Sequence, residues 1–100
     1  MGMDYSWAGS ASYPRFDKEL CAVAEVFSGI KTNDKKFVFP EGTNEVFVRW
    51  FNDIYGDFTE EETKTIWEHI SKHTEVEEIS HQIWYELKMC NEINESWYIY

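Results

Sequence analysis

The side chains best suited to chemistry are three histidines, His69, His73 and His81, and nineteen carboxylates. His69 and His73 lie one helical turn apart in "EHISKH", a spacing that can hold zinc. In the helix of a metalloprotease the catalytic glutamate follows the first histidine; here Glu68 precedes it, so that arrangement is absent. A solvated histidine pair near a helix C-terminus, favoured by the helix dipole, is the expectation, with no metal and no cofactor. The chain has no glycine-rich phosphate loop and no nucleophile elbow, and no Cys/His pair stands at a catalytic spacing. Cys21 and Cys90 are far apart among apolar neighbours, which predicts two reduced thiols. The chain is expected not to be an enzyme.

The carboxylates are unevenly placed. Residues 1–40 balance five acids against five bases, whereas residues 41–100 carry fourteen acids and four bases, giving a net charge of −10. Such a field repels nucleic acid and anionic membrane and attracts basic protein surfaces. With nine basic residues and no basic stripe, direct nucleic-acid binding is not expected. Glu60, Lys64, Glu68 and Lys72 read as an i,i+4 ladder on a solvated helix face. Glu75, Glu78, Gln82 and Glu86 read as a second stripe, away from the apolar face and without a local lysine opposite it. Trp84, Tyr85 and Met89 stand beside that stripe. Aromatic anchors with a charged rim are the composition of an interface. The alternative is that Trp84 and Tyr85 pack against the terminal strands.

The elements that must position these residues can be read from periodicity. "MDYSW" alternates as a strand, with Met3, Tyr5 and Trp7 on one face, and "AGSAS" follows as a loop. Ser12 caps and Pro14 opens a helix whose apolar positions are Phe16, Leu20, Val23, Ala24 and Phe27, with Gly29 as its stop. "IKTNDKK" reads as a polar turn and "KFVF" as a short strand. The stretch from Asn44 to Tyr55 admits two readings. Its β-branched and aromatic residues suit a strand, with "PEGTN" as a hairpin turn. Its large apolar residues recur in pairs four apart, which favours a helix capped by Thr43 or Asn44 and ended by Gly56, and the helix is the expectation. "TEEE" at 59–62 and "TEVE" at 74–77 are both capping boxes. The helix after the first buries Ile66, Trp67 and Ile70; the one after the second runs through Val76, Ile79, Ile83, Leu87 and Cys90. "SWYIY" closes the chain as an aromatic strand.

One hundred residues, 43% hydrophobic and 18% aromatic, predict one compact domain over 1–100. A chain of this mass should expose roughly 6,000 Å² when folded, against about 17,000 Å² when extended. The expected fold class is α+β: about four helices packed on a small, mainly antiparallel sheet that includes the N- and C-terminal strands. With no apolar run of about 20 residues and no basic, apolar leader, a cytoplasmic protein is expected.

These features favour a non-enzymatic acidic inhibitor that occupies the basic, nucleic-acid-binding surface of another protein. In size and charge alone the chain resembles phage-encoded inhibitors of bacterial defence, such as anti-CRISPR proteins, and immunity proteins for nuclease toxins. The expected partner contacts are Asp53, Asp57, Glu61, Glu62, Glu75, Glu78, Trp84, Tyr85 and Glu86. The alternative is a small-molecule or nucleotide-sequestering module; against a field of −10, an anionic ligand requires Arg15, Lys18 or Arg49 in its pocket.

Overall fold

In the computed structural model, residues 2–97 are described. Nine elements follow one another: β1 (Gly2–Asp4), β2 (Ser10–Ser12), α1 (Tyr13–Val26), β3 (Ile30–Lys31), β4 (Phe37–Val38), α2 (Glu45–Asn52), α3 (Glu60–Ser71), α4 (Glu75–Ile79) and α5 (His81–Ile93). The fold is α+β, with five helices and two small antiparallel sheets. The radius of gyration is 12.5 Å and the accessible surface 6016 Å², both values of a well-packed domain of this length.

The helix starts follow the local chemistry. Ser12 Oγ accepts the Arg15 amide at 3.3 Å, and Pro14 sits in the first turn of α1. Asn44 Oδ1 accepts the amides of Val46 and Phe47. Thr59 and Glu62 form a complete capping box, with each side chain on the other's backbone amide. The second expected box does not form. Thr74 is itself in helical conformation and makes no cap bond, and α4 ends after one turn and a half. Ser80, buried and extended, breaks the predicted continuous helix and caps α5 by accepting the Ile83 amide. The break makes five helices out of the expected four.

The strands depart further from the sequence reading. The "AGSAS" segment supplies β2, which pairs with β1 in the register Met3↔Ala11. The polar turn after α1 begins with β3, which pairs with β4 as Ile30↔Val38. The helices therefore do not sit on one sheet, because each two-stranded hairpin covers a different part of the helical core. Asn52 clasps β4 by accepting the Phe37 amide at 2.7 Å and donating to its carbonyl at 3.0 Å. The helix ends also differ from expectation. α2 stops at Asn52, four residues before Gly56. At the end of α1 it is Ser28 (φ 61°), not Gly29, that takes the left-handed conformation. Gly29 is required for space, because a Cβ there would collide with the Phe39 ring.

The core is one cluster in which aromatic rings meet edge to face. Trp50 and Phe47 of α2 are fully enclosed, and Trp50 meets Trp97 at 5.2 Å and 87°. Trp97 also meets Tyr5 at 6.2 Å, so the two ends of the described chain are neighbours through their side chains. Ser96 and Trp97 are not in a strand. The remainder of the expected C-terminal strand, 98–100, lies outside the described residues. Among the described residues no helix is long and apolar enough to cross a membrane.

Candidate functional site

The stripe predicted along 75–86 does not exist as one surface, because Ser80 breaks the helix and its members meet different surroundings. Glu75 Oε1 lies 3.1 Å from His73 Nδ1. Gln82 Oε1 accepts a 2.5 Å hydrogen bond from Arg15 Nη2 of α1. Glu78 lines a groove shared with Arg15 and Lys18. Glu86, expected as a contact residue, is fully buried and belongs to the core.

Burial of Glu86 explains the unusual composition of the N-terminus. Its Oε1 accepts the Trp7 amide at 2.8 Å, and the nearby backbone of Ala8 and Ser6 also favours the charged carboxylate. The loop between β1 and β2 thus turns its backbone amide side toward a buried carboxylate. Gly9, at φ 86°, lets the chain turn back, and its carbonyl accepts the Tyr5 amide at 2.8 Å. Loss of water pushes the Glu86 carboxyl above its ordinary range, against the pull of the Trp7 amide, the Cys90 thiol and the nearby backbone. The loop held in this way carries Trp7 outward, 41% exposed, although Met3 and Tyr5 of the same predicted face are buried.

The aromatic anchors divide similarly. Trp84 is half-buried and packs edge to face on Trp67 of α3 at 4.9 Å. Tyr85, also half-buried, stacks on His81 at 5.6 Å. The remaining histidines are not a free solvated pair: His69 packs on Phe47 at 5.1 Å and His73 on Phe27 at 4.7 Å. The expected Glu60–Lys72 ladder contributes no ion pair among the described residues.

Four of the expected contacts fall in one short stretch of the chain. Asp53, Asp57, Glu61 and Glu62 lie in the α2–α3 connection and the first turn of α3. Glu62 pairs with Arg49, whose guanidinium lies over the Phe58 ring at 4.4 Å. Hydrogen bonds from the Thr59 amide and Arg49 hold the Glu62 carboxyl below its ordinary range. Asp53, Asp57, Glu60 and Glu61 are exposed and make no ion pair among the described residues. Tyr55, 57% exposed, stands in the middle of this connection. Its phenol is raised by partial burial and by the nearby Tyr13, which is also exposed. Periodicity places Tyr55 in the apolar repeat of the expected helix, but α2 stops at Asn52 and leaves Tyr55 exposed in the loop. Glu75 and Glu78 follow the other end of α3, about 18 Å away along a twelve-residue helix, so the expected contacts form two groups.

Neither cysteine is in a disulfide. Cys90 is buried, and its thiol donates to Glu86 Oε2 at 3.6 Å and to the Ser96 carbonyl at 3.3 Å. Burial first, and then the Glu86 charge, push this thiol up to about 12. Cys21 is half-buried and raised chiefly by burial. A thiol-specific reagent should therefore modify Cys21 slowly in the native protein, and Cys90 only on unfolding. One equivalent under native conditions and two in denaturant is the expected titration. Two fast native equivalents would contradict the placement of Cys90.

Comparison of the chain with protein-family models, with curated proteins and with solved structures returns no match. Its function is therefore argued from these surfaces alone.

Proposed function

We propose that this protein is a non-enzymatic acidic inhibitor that binds a basic protein surface of the kind that ordinarily holds nucleic acid, with the α2–α3 junction as its contact. The observation carrying this reading is the junction itself. Asp53, Asp57, Glu60 and Glu61 are exposed without ion-pair partners among the described residues, around an exposed Tyr55. Carboxylates in such a group can take the place of phosphates before arginine and lysine, while a tyrosine offers a flat apolar anchor at low entropic cost. Phage-encoded anti-defence inhibitors share this size and charge, and the same physics suits an immunity protein. Glu75 and Glu78 play a lesser part in this reading, and Glu86 none.

The test is a comparison of two charge variants. Asp53→Lys, Asp57→Lys and Glu61→Lys together add six charges, taking −10 to −4. Asp4→Lys, Asp34→Lys and Glu41→Lys add the same six elsewhere on the exposed surface. Each substitution should change stability by less than about 0.5 kcal/mol, or up to about 1 kcal/mol for Glu61 in the first helical turn. A partner captured from the source cells should associate with the junction variant at least ~10-fold more slowly than with the control. Association with the unaltered protein should slow steeply with salt, since exposed attraction is screened beyond about 8 Å. Equal binding by both variants would show that overall charge matters and the junction does not. Insensitivity to both variants and to salt would end the basic-surface reading.

A further inference from the structure

The groove between α1 and the α4–α5 break is independent of the acidic junction. Arg15, Lys18, Glu19 and Ala22 form one wall, at the i, i+3, i+4, i+7 spacing of a single helix face. Glu78, Ile79 and His81 form the other, on either side of Ser80. The volume is about 440 Å³, within the size range of small-molecule sites.

The charges in this groove are arranged in two ways. Arg15 is already committed: its Nε donates to Glu19 Oε2 at 2.7 Å and its Nη2 to Gln82 Oε1 at 2.5 Å. It straps α1 to α5 at one end and neutralises Glu19. Lys18 and Glu78 are different. They stand on opposite walls, both exposed, and among the described residues neither makes an ion pair. Ala22 on the first wall and Ile79 on the second add apolar surface to the groove.

An ammonium on one wall, a carboxylate on the other and apolar side chains in the same lining match a small zwitterion of the opposite order. A simple anion would meet Lys18 but also Glu78 and the field of a −10 chain. A simple cation would meet Glu78 but also Lys18 and Arg15. A zwitterion has no net interaction with the overall field and satisfies both walls. A volume of about 440 Å³ exceeds what a free amino acid fills and accommodates a short peptide. We infer that the α1–α4 groove binds short zwitterionic peptides, with the peptide carboxylate on Lys18 and its ammonium on Glu78.

The probe is the dipeptide alanyl-leucine, titrated into the labelled protein and followed by amide chemical shifts. Saturable shifts confined to residues 15–22 and 78–82 are expected, with a dissociation constant in the millimolar range. N-acetylation or C-amidation of the probe should each weaken binding ~10-fold, the effect of one lost charge-assisted contact of about 1.4 kcal/mol. The decisive comparison is a pair of exchanges. Lys18→Ala should abolish the penalty for C-amidation and leave that for acetylation, and Glu78→Ala should do the reverse. Both residues are exposed, so both variants should fold. An absence of saturable shifts would overturn the inference. So would equal binding of blocked and free dipeptide, or penalties that neither substitution alters. None of these results bears on the acidic junction, which lies outside the groove.

Discussion

Replacing Trp97 by alanine should cost about 3–5 kcal/mol, the usual penalty for emptying a buried aromatic site. A domain of this size has roughly 5–15 kcal/mol of stability in total, so the variant should be marginally folded or unfolded. Trp97 is only 3% exposed and closes four contacts at once. Its ring meets Trp50 and Tyr5 edge to face. Its indole N–H donates to the Ile54 carbonyl at 2.9 Å, and its amide donates to Thr63 Oγ1 at 2.9 Å. Thr63, itself fully buried, donates its hydroxyl hydrogen bond to the Thr59 carbonyl. Removing the ring leaves a cavity and an unpaired carbonyl beside α2. Trp97→Phe separates the two effects. It keeps most of the apolar volume and loses the N–H bond, so it should cost about 1–3 kcal/mol. Urea unfolding gives both values. A domain of this size shifts its Tm by roughly 4–8 °C for each kcal/mol, so thermal melts should separate the two variants clearly. If Trp97→Ala melts within a few degrees of the unaltered protein, the docking of the C-terminal segment is not as described.

Loss of the Glu86 carboxylate should be the next most damaging change. Glu86→Ala strands the Trp7 amide without an acceptor and opens a cavity beside Cys90, for about 3 kcal/mol. The loop 5–9 should lose its protection first, so amide exchange at Trp7 should accelerate more than in α3 or α5. Glu86→Gln tests the charge. The folded-state pKa of Glu86 is raised above that of an unfolded glutamate. A group raised in this way contributes fully below the unfolded value of about 4.3, and its contribution falls as pH rises through the folded value. Glutamine does not titrate. The stability difference between the unaltered protein and Glu86→Gln should therefore favour the unaltered protein most at about pH 4 and least above the raised pKa. Glu62 and Glu75, whose pKa values are lowered, act in the opposite direction, losing their contribution as pH falls. They are common to both proteins and cancel in the difference. A flat difference, or one that grows with pH, would show that Glu86 is not held as a desolvated acid.

Several features were legible in the residues themselves because they depend on neighbours within one turn of helix. The Ser12 and Thr59 caps, Pro14 in the first turn of α1, and the paired apolar residues of α2 act through local hydrogen bonds and a 3.6-residue repeat. The acidic excess and its position after residue 40 are matters of composition, and the cluster at 53–62 is compact because the connection is short.

Other features were decided only by tertiary packing. Pattern alone cannot show that Ser80 interrupts a continuous apolar repeat, since Val76, Ile79, Ile83 and Leu87 keep helical spacing across it. The break depends on burying the serine as the cap of α5. Strand partners were equally illegible, because β3 and β4 are two residues long, too short for alternation to register. The fate of the carboxylates is the clearest case. By sequence spacing Glu75, Glu78 and Glu86 are equivalent members of one stripe. In the fold one pairs with His73, one faces Lys18 across a groove, and one is buried under the amides of a loop 79 residues away. A charge is free or spent according to what lies within a few ångströms of it. For Glu78 and Glu86 that distance is set by a helix and a hairpin remote in the chain, and for Glu75 by the turn that carries His73, so only the folded structure could sort them.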